Sequence, residues 1–129
     1  MIDANKKTFS TRKRLQSFVY AYRGILYLLR TQHNAWIHLA LAFIAVILGI
    51  CFSITQFEWI AILICIGIVF AAEAVNTSIE LLCDARFTEY DKRAEIIKDT
   101  AAGAVLIVSI VAAIVGSIIF LPRFLLLLT

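Results

Sequence analysis

Residues 57–84 read FEWIAILICIGIVFAAEAVNTSIELLCD: an apolar run grows to the length of a membrane crossing and then gathers Glu73, Asn76, Glu80 and Asp84. At about 1.5 Å per residue, roughly 20 apolar residues carry a helix across the ~30 Å hydrocarbon layer. With Glu73 at zero and about 100° per residue, Asn76 falls near −60°, Thr77 near +40°, Glu80 near −20° and Asp84 near +20°. These side chains share one arc of about 100°, while Ala71, Ala74, Val75, Ile79 and Leu82 cover the rest of the surface. Counted from Trp59 at the outer boundary, Glu73 lies ~21 Å along the axis and Glu80 ~31 Å. The first is therefore inside the inner leaflet and the second near its surface. A charged side chain in hydrocarbon costs at least ~2–3 kcal/mol unless it is paired, protonated or hydrated. The stripe is expected to face protein or a polar cavity.

The remainder of the chain fits a membrane protein. Of its 129 residues 62% are hydrophobic, with one Pro and five Gly, which leaves room for a single domain (residues 1–129) and no flexible linker. The expected fold is all-α and integral to the membrane, with spans at 35–52, 57–83 and 101–121. No apolar segment followed by a cleavage site precedes Ala35, so the first span is expected to act as its own targeting signal. Lys and Arg crowd the N-terminal segment and recur in the connection after the second span (Arg86, Lys92, Arg93, Lys98), whereas FSITQFE between the first two spans has none. The basic residues therefore put the N-terminus and that connection in the cytoplasm. The net charge of +3 is accounted for by topology and anionic lipid, so no nucleic acid is expected as a partner. Cys51, Cys65 and Cys83 are odd in number, widely spaced and intramembrane, a pattern of small buried hydrophobes rather than disulfides or a zinc site.

Residues 10–30 read as an amphipathic surface helix, with Leu15, Phe18, Val19, Tyr22, Leu26 and Leu29 on one side and Lys13, Gln16, Ser17, Arg23, Tyr27 and Arg30 on the other. His33 and His38, five residues apart, do not share a helix face and read as interfacial hydrogen-bonding groups. In the connection ARFTEYDKRAEIIKDT, Thr88 or Glu89 is expected to begin a turn or a brief helix, and Asp99 or Thr100 to cap the third span. AAGA at 101–104 permits close approach of a helix or ligand, and Pro122 with Arg123 marks the outer end of that span.

Three spans hardly enclose a cavity alone, which implies an oligomer or a groove open to lipid. Two carboxylates ~10 Å apart on one face divide a task. The shallow one suits a hard divalent cation that screens polyphosphate, and the deep one suits removal of a proton from a lipid hydroxyl. Phosphoryl transfer needs little beyond metal, positioning and a base. Neither a Walker-type Gly-rich Lys motif nor a kinase-type Gly loop occurs. A proton-coupled transporter would also explain one deep acid, though not the polar cluster at the inner surface. A non-catalytic helical module is the third reading.

EAVNTSIELLCD followed by KDTAAGAVL resembles the small bacterial integral-membrane lipid kinases, the prokaryotic diacylglycerol kinase and undecaprenol kinase family, over about residues 17–121. The resemblance implies a homotrimer in the bacterial inner membrane, each protomer with three spans and a surface helix, using Mg2+ and ATP to phosphorylate a lipid hydroxyl. It implies Glu73 as proton acceptor, Glu80 as metal carboxylate, and Asn76 and Asp84 as supporting residues. Lys98, Asp99, Glu89, Tyr90, Asp91 and Tyr20 match positions that meet the nucleotide. Two positions depart from the family pattern. Lys13 stands where an Arg is frequent, which keeps the charge but not the planar fork. Gln32 stands where a metal-binding Glu is frequent, which keeps a carbonyl oxygen but not the charge. KDTAAGAVL is the form closer to the undecaprenol kinase branch.

Overall fold

In this computed structural model, which describes residues 11–128 apart from the side chain of Lys13, four helices follow one another: α1 (Thr11–Thr31), α2 (His33–Cys51), α3 (Gln56–Arg86) and α4 (Lys92–Leu126). The last three are long and apolar enough to cross a membrane. At 31 and 35 residues, α3 and α4 are ~46 and ~52 Å long, well beyond the hydrocarbon thickness. Their ends at Arg86 and Lys92, termed inner and the opposite ends outer, therefore carry polar side chains out of the apolar layer while remaining helical.

Helix boundaries have local causes. Gln32 alone, in an extended conformation (φ −106°, ψ 113°), separates α1 from α2. Thr55 caps α3 through a capping box, its backbone N–H donating to Glu58 Oε2 at 2.7 Å while its hydroxyl accepts from the Glu58 N–H at 3.4 Å. The turn before it passes through Ser53 at φ 47°, the left-handed region. The helix that carries the third span begins well before residue 101. Asp91 caps α4, accepting the Arg93 N–H at 2.8 Å, and KRAEIIKD is built from good helix formers, with Lys92 paired to Glu95 at 2.7 Å. Asp99 and Thr100 thus sit inside the helix, with the Thr100 hydroxyl donating to the Ile96 carbonyl, and neither is a cap. Thr88 and Glu89 form a bend rather than a helix. At the outer end Pro122 does not stop α4, which runs on to Leu126. Arg123 bridges to Glu58 at 2.8 Å and donates to the Ile119 carbonyl, while Phe124 packs edge-on against Phe52 at 5.0 Å. These contacts hold the chain helical beyond the ring that lacks an N–H donor.

α3 and α4 form the most extensive pairing, and α2 lies against α3. Near the outer end Ile54, Ile62, Ile119 and Phe120 are buried together, bordered by Leu48, Phe52 and Trp59. Gly49 is required there, since a Cβ on it would come within 2.7 Å of the Trp59 ring. Toward the inner end the pattern inverts. Glu73, Asn76 and Thr77 are buried, whereas Leu63, Ile68, Val75 and Leu82 of the same helix are exposed. Polar groups inside and apolar groups outside is the arrangement of a protein whose solvent is lipid. In α1 the last turns are buried on protein, through Leu28 with Leu26 and Leu29 half-buried, and Leu15, Phe18, Val19 and Tyr22 remain exposed.

Candidate active site

The stripe on α3 runs inward through three groups of contacts. Deepest is Glu73, 2% exposed, whose Oε1 lies 3.1 Å from His38 Nε2 on α2 without a hydrogen-bond alignment. Two turns further in, Glu80 collects amides: Asn76 Nδ2 donates to its Oε1 at 2.8 Å and Gln32 Nε2 to its Oε2 at 3.5 Å. The extended residue between α1 and α2 is therefore what brings Gln32 over α3. One turn beyond, Asp84 is ion-paired with Lys98, tying the inner ends of α3 and α4 together.

Past this pair, a groove of about 280 Å³ is lined by Cys83, Asp84, Phe87, Glu89, Tyr90, Asp91, Ala94, Glu95 and Lys98. Its far wall is held by short-range pairs. The Arg93 guanidinium grips Asp91 at 2.7 and 3.1 Å and keeps its carboxyl at about 2, well below the ordinary range. The phenol of Tyr90 donates to Glu95, and loss of that bond on ionisation pushes the phenol up. The guanidinium groups of Arg86 and Arg93 lie 5.6 and 5.7 Å from the centre of the Phe87 ring.

The sequence candidates thus fall into sets. Glu73, Asn76, Glu80, Asp84 and Gln32 share one continuous face, and Glu89, Tyr90, Asp91 and Lys98 line the adjoining groove. Tyr20 is exposed on α1 and Asp99 is exposed on α4, neither lining the groove. The side chain of Lys13 lies outside the described residues. Sequence reading missed His38, assigned to the interface although it meets the buried acid. Matching depth on antiparallel neighbours would have revealed it, since it lies 13 residues from the outer end of α2 and Glu73 lies 17 from that of α3.

Hard oxygen donors suited to Mg2+ meet around Glu80. Asn76 Oδ1 is buried with no hydrogen-bond partner, and Gln32 supplies a second amide. No cluster of three or more His, Cys, Asp or Glu able to hold a metal occurs among the described residues.

The sequence model described as "Prokaryotic diacylglycerol kinase" matches residues 19–120. The chain belongs to the prokaryotic diacylglycerol kinase family. An undecaprenol kinase of Bacillus subtilis is 38% identical over 108 residues, covering 84% of this chain and 88% of that protein. A diacylglycerol kinase of Synechocystis sp. is 38% identical over 112 residues, covering 84% of this chain and 62% of that protein. Every candidate residue except Lys13 falls within the region matched to the prokaryotic diacylglycerol kinase family.

Proposed function

We propose that the chain is a lipid kinase that transfers the γ-phosphoryl group of ATP to the hydroxyl of a membrane lipid, undecaprenol or diacylglycerol, at the cytoplasmic face of the bacterial inner membrane. The observation that carries this reading is the ordered descent along α3: a buried acid at lipid depth, an amide-ringed carboxylate nearer the surface, then a charged groove. Glu73 accepts the hydroxyl proton as the lipid oxygen bonds to the γ-phosphorus and the bridging β,γ oxygen leaves with ADP. Glu80 with Gln32 would hold Mg2+, which when bound neutralises phosphate charge. Lys98 and Asp99, the Glu89–Tyr90–Asp91 segment, and Tyr20 and Lys13 of α1 are assigned to the nucleotide, with Asn76 and Asp84 orienting their neighbours.

Undecaprenol is preferred as substrate, supported by KDTAAGAVL and by a relative named for that lipid that the match covers to 88% of its length. The homotrimer rests on the resemblance to the family alone, since Glu73, Asn76 and Thr77 are already buried within one chain and only Glu80 and Asp84 stay partly open. The cytoplasmic assignment of the inner end is supported by the charge asymmetry of the connections. The gathering of Glu80, Asp84 and Lys98 at that end argues against a transporter.

Purified protein in mixed micelles, given labelled ATP, Mg2+ and a panel of lipid alcohols, is expected to label a prenol or a diacylglycerol. Glu73→Gln and Glu80→Gln are expected to lower kcat at least ~100-fold. Unchanged transfer by both variants would remove the roles assigned here.

A further inference from the structure

Glu73 needs a partner, and the membrane interior offers few. Between Asp99 and Arg123 α4 carries no ionisable side chain, and between Glu58 and Glu73 α3 carries only Cys65. Along α2, His33 lies at the inner end, Cys51 at the outer end, and His38 in between. Glu80 lies ~10 Å further in along the same helix and is held by amides. Arg23 and Arg30 of α1 are exposed. Within the apolar depth, His38 is therefore the one basic side chain among the described residues, and its Nε2 is 3.1 Å from Glu73 Oε1. The same imidazole lines an apolar groove of about 300 Å³ between α2, α3 and α4, together with Val69, Phe70 and Ser109. It stands between the carboxylate and hydrocarbon.

Resting on the assignment of Glu73 as proton acceptor, we propose that His38 is the positioning residue of the reaction, holding the Glu73 carboxylate turned toward the lipid hydroxyl. Before transfer the pair carries one negative charge, with neutral imidazole presenting Nε2–H to the carboxylate. The lipid hydroxyl proton then joins the pair as the O–P bond forms and ADP leaves. The neutral pair returns that proton to water when the product departs. With His38 gone, no side chain of another helix fixes the direction of the carboxylate, and the geometry needed to meet the hydroxyl proton is lost. The 3.1 Å approach lacks hydrogen-bond alignment before substrate binds, and such contacts commonly tighten in the reactive complex.

The test is kinetic on the full chain. His38→Ala should lower kcat about 100-fold or more while leaving the lipid KM within about threefold. His38→Gln, which restores an N–H donor at similar reach, should recover kcat to within about tenfold of the unaltered protein, whereas His38→Leu, of similar bulk without a donor, should stay as slow as the alanine variant. An alanine variant with kcat within about threefold of the unaltered protein overturns the inference, as does a Gln variant no faster than the Leu one. If Glu73→Gln is inactive while the His38 variants are fully active, only the role of His38 falls. If Glu73→Gln retains activity, the assignment of Glu73 falls and the inference with it.

Discussion

Replacing Glu73 with Gln should make the fold more stable while removing its activity. The side chain is 2% exposed, on a helix whose other faces are apolar, and its nearest basic group is a half-buried histidine 3.1 Å away without a hydrogen-bond alignment. A charged group at the centre of a membrane helix costs about 2.5–3.5 kcal/mol on insertion scales, and more where it has no water. Partial compensation by His38 leaves roughly 1–2 kcal/mol of unfavourable energy in the folded chain, which an isosteric neutral amide removes. In a thermal melt or a graded denaturing-detergent titration of the micellar protein, Glu73→Gln should gain about that amount, a shift of several degrees in the midpoint. Such a trade is expected where an active group is kept against the local solvation energetics. The His38→Ala/Glu73→Gln double variant should sit close to the Glu73→Gln variant, because the imidazole has lost its charged partner. Loss of more than about 1 kcal/mol in Glu73→Gln would refute the reasoning. It would mean that the carboxylate holds helices together instead of being tolerated for chemistry.

Three further outcomes follow from other contacts. Gly49→Ala should destabilise the fold by about 1–3 kcal/mol in the same melt, since the added methyl would meet the Trp59 ring at 2.7 Å with Ile54 behind it. Gln32→Glu would set a second carboxylate near Glu80, where the amide now lies at 3.5 Å. Without Mg2+ it should lose about 1–4 kcal/mol by like-charge repulsion, and added Mg2+ should restore the loss if these residues share the ion. The cap on α4 should depend on pH. Asp91 has its carboxyl lowered from 3.8 to about 2 by Arg93, so its contribution is complete above the ordinary value and disappears as pH falls through the folded one. Amide exchange in the first turn of α4, measured at matched intrinsic rates, should therefore accelerate between about pH 4 and pH 2; a flat profile would show that the bidentate pair is absent in solution.

What could be read without coordinates were the features that depend on one helix at a time. Glu73, Asn76, Glu80 and Asp84 share a face because helical rotation is local, and the requirement that this face avoid lipid follows from the chemistry of carboxylates. The start of α4 is ambiguous in sequence because Asp91 and Asp99 both carry capping chemistry, and only the chain path after Phe87 decides which is used. The missing N–H of Pro122 is a local signal for an end, whereas the contacts of Arg123 on Glu58 and Phe124 on Phe52 that override it are not local.

The lipid environment, the number of crossings and the polar stripe are properties of composition and period, and the residues carry them by themselves. The meeting of His38 with Glu73, of Gln32 with Glu80 and of Lys98 with Asp84 belongs to the tertiary structure. Each joins side chains on different helices, so it depends on how far along and how far around one helix lies against another. No period within a single helix contains that offset; packing across the interface sets it.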